Sequence, residues 1–250
     1  MRVLILGGSS QASLLARRLA QRGGFDAVLS LAGRTHSPMQ FPVPLRIGGF
    51  GGPEGLARHL VEQRIEALVD ATHPFAAQIT RNAAAASLRA NVPLLGFSRP
   101  PWRREEGDRW RRVADMAGAA AALGETPRTI FLTIGRLSLG AFAAAPQHFY
   151  LVRTIDPLDD ERVLPRMKHI RARPPFEAGQ EEELMRREGV EALVTKNSGG
   201  AASVGKLVAA RALGLEVVMV ERPPEPQIAM VYEVEAALEW LEARRAARAF

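Results

Sequence analysis

Cysteine is absent from this 250-residue chain, so disulfides, thiolate nucleophiles and thiolate-held zinc are excluded from its chemistry. Lysine is almost absent: Lys168, Lys196 and Lys206 are the only lysines among 33 basic residues. No apolar run approaches the ~18–20 residues that span a bilayer, and no secretory apolar stretch follows Met1. These absences predict a soluble, cytoplasmic protein with no membrane partner. The five histidines (His36, His59, His73, His148, His169) show no metal-ligand spacing, which argues against a metal site.

What is plentiful is arginine, and with it a net charge of +6. Arginine grips carboxylates and phosphates bidentately and stays charged when partly buried, which suits a polyanionic small molecule or a nucleic acid. Codon bias in a chain rich in Ala and Arg would give the same total, so the positions of individual arginines are more informative than their number.

Three apolar strand candidates in the first 75 residues each end in a short polar loop. Val3–Leu6 runs into Gly7-Gly8-Ser9-Ser10-Gln11, residues 27–30 (ending at Ser30) into Leu31-Ala32-Gly33-Arg34, and Ala67–Asp70 into Ala71-Thr72-His73-Pro74-Phe75. Open α/β sheets bind ligands beyond the carboxyl ends of their strands. A helix with apolar Leu14, Leu15 and Leu19 closes at Gly23-Gly24. A short strand at 45–47 ends in Gly48-Gly49-Phe50-Gly51-Gly52, and a helix follows with Leu56, Leu60, Val61 and Ile65 as its apolar face. A helix over 75–90 and a strand over 92–97 complete a βαβαβαβαβ order, which implies a parallel sheet covered by helices on both faces.

Residues 99–114 are basic and proline-bearing and read as a linker. The same stretch, with Trp102 and Trp110, also fits a nucleic-acid stacking strip. A second alternating series follows: helices at 116–123, 181–187, 204–213 and 234–245, and strands at 129–133, 149–155, 192–194 and 216–220. The fold class expected is α/β, two Rossmann-like domains with parallel sheets flanked by helices: residues 1–98, then the linker, then residues 115–250, with a ligand cleft between them.

Each loop has a chemical reading. Gly7-Gly8-Ser9-Ser10-Gln11 suits a pyrophosphate at a helix N-terminus, although the dinucleotide pattern wants Gly at position 9; a plain tight turn would read the same way. Arg34 in place of an acidic residue favours the extra phosphate of NADP, with Ser30, Ala32 and Gly33 beside it; a solvated surface arginine is the alternative. Gly48-Gly49-Phe50 would pass close to the nicotinamide half of a cofactor, or serve as a flexible connection. Thr72, His73 and Pro74 place a hydroxyl and an imidazole at a strand end, where His73 would donate a proton, bond a ligand or brace its loop. In the second half, Arg136, Arg153 and Lys196-Asn197-Ser198-Gly199-Gly200 bring positive charge and amide donors to strands and strand ends, which suits substrate carboxylates, or a phosphate at the last loop.

Taken together the loops resemble one family. Gly7-Gly8 with Gln11-Ala12, Leu31-Ala32-Gly33-Arg34, Gly48-Gly49-Phe50-Gly51-Gly52, Asp70-Ala71-Thr72-His73-Pro74-Phe75-Ala76 and Arg99-Pro100-Pro101-Trp102 look like the precorrin-6A reductase family of cobalamin biosynthesis. So do Ile170-Arg171-Ala172-Arg173-Pro174-Pro175-Phe176, Thr195-Lys196-Asn197-Ser198-Gly199-Gly200, Lys206 and Glu221-Arg222-Pro223, so that the resemblance runs from about residue 1 to 240. It implies NADPH-dependent reduction of one carbon–carbon double bond of precorrin-6A to give precorrin-6B, or the same reaction on the cobalt-containing macrocycle. The acetate and propionate arms of such a tetrapyrrole give the arginines anionic partners. His73 and Lys196 are the expected proton or charge partners. A non-catalytic NADP-binding regulator is the competing reading, nucleic acid is not an expected partner, and a monomer or weak homo-oligomer is expected.

Overall fold

A computed structural model describes residues 1–33, 40–158, 163–224 and 226–248. In chain order it contains β1 (Arg2–Leu6), α1 (Ser10–Ala20), β2 (Asp26–Leu31), β3 (Leu45–Ile47), α2 (Gly52–Glu62), β4 (Ala67–Asp70), α3 (Ala77–Ala90) and β5 (Leu94–Phe97). There follow β6 (Arg109–Val113), α4 (Met116–Ala122), β7 (Thr129–Thr133), β8 (Phe149–Thr154), β9 (Met167–Arg171), α5 (Ala178–Arg187), β10 (Ala192–Lys196), α6 (Gly205–Ala212), β11 (Glu216–Val220), β12 (Met230–Val231) and α7 (Val234–Ala246). Short 3₁₀ segments occupy Arg136–Ala144 and Ala201–Ser203.

The chain forms two units, Met1–Pro100 with Pro224–Phe250, and Pro101–Pro223. Each carries one six-stranded sheet in which every pair is parallel. The first runs β3-β2-β1-β4-β5-β12 and the second β9-β8-β7-β10-β11-β6. Both therefore have the strand order of the dinucleotide-binding fold, with the direction of winding reversing between β1 and β4 in one sheet and between β7 and β10 in the other. The α/β class expected from the alternating pattern is the observed one.

Residues 3–6 of β1 are all buried because helices cover both sheet faces. Val3 and Ile5 pack with α1 and α7, whereas Leu4 and Leu6 pack with α2 and α3, as the two-residue repeat of a strand requires. On α2, Leu56 and Leu60 enter this second core, but Val61 is 63% exposed, so the apolar stripe is narrower than expected. No helix among the described residues is long and apolar enough to cross a membrane.

The domain limits differ from those expected in two places. Residues 224–250, expected in the second domain, belong to the first unit: β12 pairs with β5, Met230 opposite Gly96, and α7 buries Val234, Ala237, Leu238 and Leu241 in the core it shares with α1. The close approach explains Gly96, since a Cβ there would lie 2.1 Å from Met230 Sδ. The linker, expected over 99–114, instead contributes β6 as the edge strand beside β11. Its Arg-Trp-Arg-Arg-Val sequence looks unlike a strand because an edge keeps most of its residues wet.

Candidate functional site

At the reversal point of the first sheet, two loops meet. Gly7 continues the ladder from β1, its N–H bonding Ser30 O at 2.8 Å. A Cβ on Gly7 would lie 2.7 Å from Leu29 Cδ1 and 2.9 Å from Leu31 Cδ2, so a larger residue there would displace both leucine side chains. Gly8 takes a φ of 121°, which favours glycine. Ser9, where the dinucleotide pattern wants glycine, has two tasks: its Oγ accepts the Ala12 N–H at 3.2 Å as the cap of α1, and donates to Ala71 O at 2.6 Å. That second bond ties the loop after β1 to the loop after β4. The Ser10 and Gln11 N–H groups in the first turn of α1 have no acceptor among the described residues. Gln11 Oε1 accepts from Ser10 Oγ at 3.0 Å and from Arg99 at 2.8 Å. Two unfilled amides at a helix start, reached through glycines, fit a pyrophosphate.

After β4, buried Asp70 accepts both the Thr72 N–H (3.0 Å) and the Thr72 hydroxyl (2.7 Å) on Oδ1, which leaves the Thr72 oxygen as an acceptor. His73 Nδ1 accepts the Phe75 N–H at 3.2 Å, so the neutral ring carries its proton on Nε2. His73 thus braces its loop. Thr72 and His73 are half-buried, and Pro74 is buried beside them.

On the other side of the sheet, Ser30 is buried, Ala32 and Gly33 are exposed, and Gly33 has a φ of 74°. Arg34, the expected reader of the extra phosphate, lies outside the described residues. The Gly48-Gly49-Phe50 loop follows β3, the edge strand beyond β2. The sheet order puts it on the ribose-reading side, not on the β4–β5 side that the expected nicotinamide contact needs. It is also no slack connection. Arg46, which the sequence reading passed over, donates to Gly48 O (2.6 Å), Gly49 O (2.8 Å) and Ser30 Oγ (3.3 Å) and stacks 3.8 Å from the Phe50 ring centroid. Burial lowers its pKa from the usual arginine value. The His59 ring meets Phe50 edge-on at 5.1 Å, and its pKa is lowered by burial and by the charge of Arg46.

In the second unit the corresponding reversal point lies between β7 and β10. Lys196, the last residue of β10, donates to Ser138 Oγ at 3.0 Å, and burial pushes its ammonium down to about 8. Half-buried Arg136 opens the 3₁₀ segment after Gly135. The Asn197–Gly200 loop is held from behind. Arg222 donates to Asn197 O (2.9 Å) and Ser198 O (3.0 Å), and the Trp102 indole N–H to Gly200 O (3.1 Å). Lys206 lies 5.3 Å from the Trp102 ring. The Ser198 N–H turns back to Lys196 O at 2.7 Å, and Gly199 takes a φ of 70°.

Three readings change here. Asn197, expected among the substrate-binding residues, has its side chain buried with both amide atoms on the Trp102 backbone: Oδ1 accepts at 2.8 Å and Nδ2 donates at 3.4 Å. Arg153, expected to face substrate, is buried, its charge met by a two-pronged pair with Glu181 and its face stacked 3.7 Å from the Phe176 ring centroid. Trp102 and Trp110 pack on the apolar core of the second unit, around Phe131 and Leu193, instead of forming an open stacking strip.

The sequence profile described as "Precorrin-6x reductase CbiJ/CobK" matches residues 2–242. The chain belongs to this family. A precorrin-6A reductase of Rhodobacter capsulatus is 46% identical over 240 residues, covering 96% of this chain and 95% of that one. A solved structure titled "CobK precorrin-6A reductase" superposes with a TM-score of 0.93 at 45% identity, covering 98% of this chain and 97% of the other. A cobalt-precorrin-6A reductase of Priestia megaterium is 28% identical, covering 88% and 90%. Within this precorrin reductase family, then, the chain is more similar to the protein named for the cobalt-free substrate than to the one named for the cobalt form.

Proposed function

We propose that this chain reduces one carbon–carbon double bond of precorrin-6A with NADPH, giving precorrin-6B. The reading is carried by the two unfilled amides of Ser10 and Gln11 at the reversal point of a dinucleotide-type sheet, in a chain that belongs along nearly its whole length to a reductase family. The greater identity to the relative named for precorrin-6A favours the cobalt-free macrocycle.

Ser10 and Gln11 would hold the pyrophosphate, with Gly7, Gly8 and Ser9 shaping the approach, while Ser30, Ala32, Gly33 and Arg34 would take the phosphorylated ribose. Thr72, with its oxygen kept as an acceptor by Asp70, and His73, with its ring held by the Phe75 N–H, would face the reactive end of the cofactor, the side of the sheet on which β4 lies. Reduced nicotinamide, when bound, supplies the hydride. Reduction of the double bond balances when that hydride adds to one carbon and a proton reaches the conjugated system at another atom. Arg136 would bind carboxylate arms, with Ser198 and Gly199 at the end of the neighbouring strand. Lys196 can hold a proton near neutral pH and release it, and is the candidate proton or charge partner in the second unit. The protein supplies position and charge more than reactive groups.

The test is anaerobic single turnover of purified protein with NADPH and precorrin-6A, with the product read by mass. A gain of two hydrogens matched by loss of one NADPH supports the reading; bound NADPH with no change in macrocycle mass refutes it. Unchanged turnover in His73→Ala or Lys196→Met would remove that residue from the chemistry.

A further inference from the structure

Arg46 sits in the middle of β3 between the exposed residues Leu45 and Ile47, yet its guanidinium folds back beneath the following loop and takes in the Gly48 and Gly49 carbonyls. In a planar trans peptide the C=O and the next residue's N–H point in opposite directions. With both carbonyls drawn toward Arg46, the Gly49 and Phe50 N–H groups point away from it. Neither has an acceptor among the described residues, whereas the Gly48 N–H is spent on Leu31 O at 2.9 Å. Gly49 is exposed and carries no side chain to screen these donors. Two neighbouring unfilled amides backed by a guanidinium form a cradle for an anion. It lies after β3, beside the end of β2, on the side of the sheet where a dinucleotide's adenosine ribose is read.

We propose that Arg46 is a positioning residue that presents the Gly49 and Phe50 amides to the 2′-phosphate of NADP, so that loop backbone carries part of the preference for NADP over NAD. This rests on the NADPH reading above. The cation works through the loop: its fork fixes two carbonyls at once, a geometry the single ammonium of lysine does not reproduce.

The test uses the full chain and calorimetric titration with adenosine 2′,5′-bisphosphate and with 5′-AMP, for wild type, Arg46→Ala and Arg46→Lys, each variant's melting also being recorded. Wild type is expected to prefer the bisphosphate. Both variants are expected to lose about tenfold or more of that preference, the scale of two backbone hydrogen bonds, with 5′-AMP affinity held. Arg46→Lys with wild-type preference would show that charge alone matters and overturn the proposal, as would Arg46→Ala with undiminished preference. Equal loss of both ligands together with early melting would make Arg46 merely structural, which also overturns it. A wild type without preference for the bisphosphate fails the NADPH reading itself and takes the proposal with it, a result seen before any variant is measured.

Discussion

Removing the carboxylate of Glu181 should be among the most damaging single changes in the second unit. The Arg153 and Glu181 side chains are 5% and 4% exposed, and two hydrogen bonds join them. The guanidinium is flanked by Phe176 at 3.7 Å and Phe131 at 5.0 Å. In Glu181→Ala that cation keeps its apolar surroundings and loses its counter-charge, and breaking a buried pair from one side costs ~3–5 kcal/mol. At ~2–4 °C per kcal/mol for a chain of this size, Tm should fall by about 6–20 °C. The double change Arg153→Met with Glu181→Leu fills the space with apolar atoms and should recover most of the loss, since a buried ion pair gains little over well-packed hydrophobes. Scanning calorimetry of the three proteins measures this, and steady-state kinetics on the double variant completes it. A Glu181→Ala protein melting within about 2 °C of wild type would refute the reasoning. So would a double variant of normal stability whose KM for the macrocycle rises sharply, because that would return Arg153 to substrate binding.

Three further outcomes follow from the same geometry. Burial lowers Lys196 from 10.5 to about 8, so between those values the unfolded chain holds more proton than the folded one. The cost of burying the ammonium is therefore full below about pH 8 and fades as pH rises toward 10.5, and Lys196→Met should melt higher than wild type at pH 7 but not at pH 10.5. If the ammonium serves the reaction, wild-type turnover falls as pH rises through about 8, and the Met variant lacks that limb. Ser9→Ala loses both the α1 cap and the bond to Ala71, and should cost ~1–2 kcal/mol in urea unfolding while raising KM for NADPH. Gly55→Ala would put a Cβ 1.7 Å from Phe50 O, so the glycine loop must shift; ~1–3 kcal/mol of stability and tight NADP+ binding should go together, read by melting and by titration.

Much of the fold could be read from the chain because buried parallel strands are short apolar runs ending in polar loops, and both reversal points fall at such loops. The elements missed were those whose sequences do not advertise burial. β6 is an arginine-rich edge, and β12 is two residues long and recognisable only through its fit against Gly96. The return of α7 to the first unit is a tertiary event that no local pattern encodes. For the candidate site, residue type and loop position picked out Ser9, Asp70, Thr72, His73 and Lys196, whose roles in binding and chemistry are the ones proposed above. Type alone misled for Arg153 and Asn197, since a cation or an amide at a strand end says nothing of the Glu181 or Trp102 waiting for it. Arg46 was passed over for the opposite reason: in a short, exposed strand it reads as a solvated arginine, and only the fold brings the Gly48 and Gly49 carbonyls to it.

The central claim is tested most directly by mixing the protein with cobalt-free precorrin-6A and following the nicotinamide absorbance, with NADH and the cobalt-bearing macrocycle in parallel. The account predicts rapid oxidation of NADPH by the cobalt-free substrate, and slow or no oxidation with NADH or with the cobalt form. Oxidation of NADH at the same rate, or turnover of the cobalt form alone, would contradict it.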